Sequence, residues 1–226
     1  MTTFIAITVK CARCGVESQH EHLGSVSSSG YPDLDGRPPP RRRDTMSSWL
    51  QECPDCLYVA RDLSVASTAE ADAVREIGFI EAGLSEGMPD LATRFMRRAY
   101  IDARTGNLRD AVRRLLHAAW VLDDFEMNAT AIRRRAADVI LSLREAADLD
   151  LRLLRLDLLR RTQAFKEAIL EADNMLRDLS DPDHRKVALA QRRAAAEKRS
   201  TALSLSEALR PSPRSGRRRV VTFVRR

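Results

Sequence analysis

CARCG at residues 11–15 and ECPDCLYVARD at residues 52–62 together hold all four cysteines of this chain. Each contains a Cys-x-x-Cys pair, Cys11 with Cys14 and Cys53 with Cys56. A two-residue spacer forms a tight turn that carries both sulfurs of a pair to one metal. Tetrahedral zinc then needs a second such pair from elsewhere in the chain. The pattern predicts a structural zinc site with Cys11, Cys14, Cys53 and Cys56 as ligands and no position left for a substrate. A rubredoxin-like iron site uses the same four ligands, so iron stays open as the metal. Two separate thiol switches are the weaker alternative, because two pairs in one ribbon suit one metal better. His20 and His22 lie close enough to the first pair to replace a cysteine as ligand, but the leading expectation for them is a solvated loop.

Outward from the cysteines, TFIAITVK at 3–10 is rich in β-branched and apolar residues and reads as a strand entering the first turn. Gly15 follows Cys14 where such a turn favours a left-handed residue that aims backbone N–H groups at the sulfurs. Leu57 holds the corresponding place after Cys56, and Leu57 to Val59 are expected to form a second short strand. Between the pairs, residues 25–49 are loaded with Ser, Gly, Pro and Arg and exclude a helix or central strand. The simplest reading is a solvated loop tethered at Trp49 and Leu50, with Asp33 and Asp35 pairing to Arg37 and Arg41–Arg43. The alternative is a loop packed over the rest of the chain that shapes a binding face.

From Ser67 onward the texture is helical. Ser67 and Glu70 form a capping box opening a helix to about Glu81. Pro89 starts a second helix, with Leu91, Ala92, Phe95, Met96, Ala99 and Ala103 on one face and Tyr100 on its flank. Asn107 caps a third, with Leu108, Ala111, Val112, Leu115, Leu116 and Ala119 facing inward. Further helices are expected over 128–147, 148–161 and 164–179, and a long one from Asp181–Pro182 to Leu209. The segment Arg104-Thr105-Gly106-Asn107-Leu108-x2-Ala111 is echoed by Arg161-Thr162-Gln163-Ala164-Phe165-x2-Ala168. The echo suggests tetratricopeptide-like hairpins, although the offset exceeds the usual period of about 34 residues. An ordinary antiparallel bundle has similar spacings. The predicted architecture is mainly α: a zinc-ribbon-like module at 1–62, helical hairpins at 67–209 and a basic tail at 210–226.

The chain resembles a bacterial family of unknown function that joins a cysteine-pair ribbon to tetratricopeptide-like helices. The resemblance is carried by CARCG, YPDLDGRPPP at 31–40, ECPDCLYVARD, LLHAAWVLDD at 115–124 and LRLDLLRRTQAFKEAILEAD at 154–173. It implies zinc and helical hairpins, and no activity. The family pattern has Gly where this chain has Leu57.

The formal charge of +6 belongs to one end. Seven arginines and no acid lie between Arg210 and Arg226, and the remainder has 31 basic against 32 acidic residues. The tail therefore carries any affinity for nucleic acid or an acidic partner, with Arg217, Arg218, Arg219, Arg225 and Arg226 as candidates. Its centre, Val220 to Val224, suits pairing with the strand at 3–10. No apolar run reaches the roughly 18 residues of a membrane span, and MTTFIAITVKC lacks the features of a secretory signal. These observations and the Cys-x-x-Cys usage predict a cytoplasmic protein with no membrane contact. The chain has no P-loop, GxGxxG or HExxH. His117 is expected to be structural, and Asp123, Asp124 and Glu126 to cap the next helix. The expected function is non-enzymatic: a protein-interaction module with a partner on the helical surface, the alternative being nucleic-acid binding through the tail.

Overall fold

The computed structural model describes residues 2–83, 87–143 and 148–210. Two antiparallel strands open it, β1 (Thr2–Lys10) and β2 (Glu17–Val26), with Lys10 opposite Glu17 and Thr2 opposite Val26. β2 replaces the loop expected around His20 and His22, which sit opposite Ile7 and Ile5. The strand was hidden because it is polar. The ribbon is exposed over most of both faces, so ESQHEHLG carries no apolar alternation.

Residues 27–39 run without regular structure into a short helix α1 (Pro40–Arg43) and a 3-10 turn at Met46–Ser48. A two-residue hairpin follows, β3 (Gln51–Glu52) paired with β4 (Val59–Ala60). The second strand begins at Val59, not Leu57, because Leu57 has a left-handed φ of 59°. The helices are α2 (Thr68–Ala73), α3 (Ile77–Glu81), α4 (Asp90–Arg104), α5 (Leu108–Asp124), α6 (Thr130–Ser142), α7 (Leu149–Arg161), α8 (Phe165–Asp178), α9 (Pro182–Ala196) and α10 (Leu205–Leu209). From α4 to α9 each packs against its sequence neighbour, giving antiparallel helical hairpins behind a small β element that carries the cysteines.

The capping box at Ser67 forms, but its helix stops after Ala73. Glu76 turns extended, and its carboxylate accepts from the Tyr100 hydroxyl at 2.5 Å and from Arg104 at 2.9 Å. α3 then lies so close to α4 that a Cβ on Gly78 would meet the Tyr100 ring at 2.7 Å. The helix expected from Pro182 to Leu209 is also two. α9 ends in a left-handed Lys198, and the buried Arg160 donates to the carbonyls of Arg199 at 2.8 Å and Thr201 at 2.7 Å. These bonds hold the chain open until a second capping box, Ser204 with Glu207, starts α10.

Four helix ends share one device. Gly106, Glu126, Gln163 and Lys198 all have positive φ. The N–H one residue further on donates to the carbonyl five residues back, as Asn107 does to Asp102 at 2.7 Å and Ala164 to Leu159 at 2.9 Å. This left-handed cap satisfies carbonyls that a helix end leaves open. The Thr-Gly and Thr-Gln echo is therefore real at the level of the turn. Thr105 and Thr162 both donate their hydroxyls back to the preceding turn, and Ala111 and Ala168 are both buried.

Candidate metal centre

The four cysteine sulfurs come from two turns of one design. Cys11 N–H donates to Val16 O at 2.9 Å and Gly15 N–H to Cys11 O at 2.8 Å. In the second turn Cys53 N–H donates to Tyr58 O at 2.9 Å and Leu57 N–H to Cys53 O at 3.0 Å. Gly15 has φ 82° and Leu57 φ 59°, so the sequence departure at Leu57 leaves the turn geometry intact. The cost falls on Leu57, because a left-handed non-glycine residue carries roughly 1–2 kcal/mol of strain.

The turns face each other. Cys11 Sγ lies 3.8 Å from Cys56 Sγ, Cys14 Sγ lies 3.4 Å from Cys53 Sγ, and all four sulfurs fall within 4.8 Å of one another. A tetrahedron of Zn–S bonds of about 2.3 Å has S···S edges of about 3.8 Å. The donor set thus fits one tetrahedral thiophilic ion, with every position filled by protein. Its electrostatics also point to a cation. The Val16 N–H favours a Cys14 thiolate, yet burial and the three neighbouring sulfurs together push Cys14 up to about 12. Burial pushes Cys56 up as well, but Arg13 and the Tyr58 N–H outweigh it and bring that thiol down to about 7. Four crowded thiolates need a shared positive charge to coexist.

The centre is anchored to the helices. Cys11 and Cys53 belong to a core that includes Tyr58, Leu63, Val74, Phe79 and Ile101, so the cysteine turns pack on α3 and α4. Ala12 N–H donates to Leu63 O at 2.8 Å, and the Tyr58 hydroxyl donates to Val65 O at 3.0 Å. His20 and His22 stay on β2, outside the cluster of four cysteines.

The 27–49 segment is no solvated loop. Met46 and Leu50 are buried in the core of α4 to α6, with Trp49 against it. Asp35, 3 % exposed, accepts from Trp120 Nε1 at 3.0 Å and from Arg161 at 2.5 Å. Arg37 pairs with Asp124 and reaches the Trp120 carbonyl at 3.4 Å. Leu34 N–H donates to Leu203 O at 2.8 Å, and Asp33 forms a bridge with Ser204. The expected pairing of Asp35 with nearby arginines is thus replaced by pairing across the fold, Asp35 with α7 and Arg37 with the end of α5. Asp123 and Asp124 do not cap α6. Asp123 binds Arg133 and Arg161, which outweigh its burial and hold its carboxyl below the usual range. Sequence pattern marked the acids and arginines but contained nothing that assigned these partners.

His117 packs edge-on between Trp49 and Phe95, each ring centre 4.9 Å away, and lies tilted against Trp120 at the same distance. Burial, reinforced by Arg114 and Arg113, lowers it to about 3, so the ring is neutral. The candidate arginines at 217–219, 225 and 226, and the proposed pairing of Val220–Val224 with β1, lie outside the described residues. Among the described residues no helix is long and apolar enough to cross a membrane. Comparison with known families, curated proteins and solved structures finds no match to this chain.

Proposed function

We propose that this protein is a non-enzymatic interaction module whose four-thiolate site holds a structural zinc ion. The observation that carries the reading is the closed donor set: Cys11, Cys14, Cys53 and Cys56 fill a tetrahedron and leave no position for a substrate. Bound there, zinc supplies cross-linking and charge balance. Arg13 and the turn N–H groups orient and stabilise the thiolates. The metal clasp then holds the two β hairpins on α3 and α4, and the docked 27–49 segment extends that junction to α5 and α7. The result is a rigid scaffold with a cleft of about 1110 Å³ between the hairpin side and α5 and α7. Helical hairpin arrays commonly take up peptide segments on such surfaces. This reading places the protein in the cytoplasm and in a bacterial family of ribbon-plus-helix proteins.

Affinity capture with the zinc-loaded protein tests the interaction reading. A partner retained in a fixed ratio to the zinc-loaded chain, and lost with Cys53→Ser, is the expected result; no retained partner under any condition contradicts it. A second reading, nucleic-acid binding by the tail, is favoured by the seven arginines from Arg210 to Arg226. It expects binding that weakens steeply with salt and disappears when residues 210–226 are removed.

A further inference from the structure

The cleft has a distinct chemistry. Its apolar lining includes the half-buried Leu151 and Leu154 and the buried Val112 and Leu116, together with Trp49, His117 and Trp120. Among the described residues its lining holds five arginines, Arg42, Arg61, Arg109, Arg113 and Arg114, against one acid, Asp35. That acid is already engaged by Arg161 and Trp120. Arg109, Arg113 and Arg114 face Asp148, Asp110 and Asp102 outside the lining. Arg42 and Arg61 are exposed and make no ion pair among the described residues. His117, 5 % exposed, leaves its Nδ1 without a hydrogen-bond partner. A buried polar atom left unpaired beside a cleft is the kind of group that a ligand satisfies.

We propose that this cleft binds an acidic peptide segment, with carboxylates on Arg42 and Arg61 and one aliphatic side chain against Leu151 and Leu154. The inference rests on the interaction reading and names the partner chemistry for it. Charge complementarity selects an anion, since the exposed Arg42 and Arg61 make no ion pair among the described residues and attract the opposite sign. Single-stranded nucleic acid needs open aromatic faces for its bases. Trp120 is only 4 % exposed, and its indole N–H is committed to Asp35. The basic tail carries the wrong charge for this site.

Fluorescence anisotropy with the zinc-loaded full-length protein provides the test. The probe is a labelled twelve-residue Asp/Glu-rich peptide with one central Leu. The controls are the same peptide with Ser for Leu, a Lys-rich counterpart, and a labelled single-stranded DNA 12-mer. The acidic Leu peptide should bind, weaken as salt rises, and weaken further when Leu becomes Ser. Arg42→Glu with Arg61→Glu should reduce its affinity roughly tenfold or more, with helical content and zinc content unchanged. No binding of the acidic peptide, equal binding by the double variant, or preference for DNA with the double variant unaffected, would each overturn the cleft assignment. A captured protein partner that the double variant still retains leaves the interaction reading standing while the cleft assignment falls.

Discussion

Two residues show how far local chemistry departs from pattern. Leu57 occupies the glycine place of the second cysteine turn with φ 59°, while its side chain is 39 % exposed. Leu57→Gly relieves the left-handed strain and surrenders little burial. The expected outcome is a gain of up to about 1 kcal/mol in chemical denaturation with zinc content unchanged. A loss of stability would show that the Leu57 contacts outweigh its strain. His117 gives the fold an acid slope. Its folded pKa, near 3, lies below the unfolded value of about 6.5. The unfolded state thus takes up the proton first, and stability is lost as pH falls below about 6.5. The contribution is on the order of 1.4 kcal/mol per pH unit within that window. Urea titrations from pH 7 to 5 should show a shallower decline for His117→Gln than for wild type. Acid loss of the metal affects both proteins, so the difference in slope reports on the histidine. Parallel slopes would contradict the assignment.

At the scale of elements, the 27–49 segment is where reading the sequence fell shortest. Its Ser, Gly and Pro content kept it free of long elements, but the short helix at Pro40–Arg43 and the 3-10 turn at Met46–Ser48 form against that expectation, and composition says nothing of partners supplied more than eighty residues away. Asp35 and Arg37 are held by α5 and α7, and neither those helices nor the segment carries a motif announcing the pairing. The helices themselves were legible because their buried faces repeat at helical spacing: Leu115, Leu116 and Ala119 on α5 are all buried as expected. The errors fall where long-range contacts overrode propensity. Glu76 is drawn to Tyr100 and Arg104 and breaks the first helix, and Arg160 captures the carbonyls beyond α9 and breaks the last. Asp35→Ala would leave Trp120 Nε1 without its acceptor in a buried site and Arg161 with Asp123 as its remaining carboxylate. The expected cost is about 1–3 kcal/mol. Faster proteolysis within residues 27–44 and a shifted Trp emission should accompany it. Unchanged cleavage and stability would mean that Met46, Leu50, the Arg37–Asp124 pair and the Leu34–Leu203 bond hold the segment without Asp35.

At the scale of the molecule, the four-cysteine cluster joins a β element too small to stand alone to a helical array. A two-stranded ribbon exposed on both faces has little apolar surface to bury, and isolated hairpins are marginal in water. Cys11 and Cys53 lie in one core with Phe79 and Ile101, so removing the metal should loosen the hairpins and their contacts with α3 and α4. The convergence of the four cysteines was legible from spacing alone. The docking surface was not, since nothing local in the chain places Val74, Phe79 and Ile101 beneath the two turns. The central claim is that four thiolates bind one ion that holds this junction together. The most direct measurement is zinc stoichiometry with X-ray absorption at the metal edge, made on wild type and Cys53→Ser and paired with hydrogen exchange over residues 2–26 and 51–60. The predicted result is one zinc per chain with four sulfur neighbours near 2.3 Å, lost in the variant together with protection of both hairpins. A metal-free wild type with fully protected hairpins, or a metal bound through fewer than four sulfurs, would contradict it.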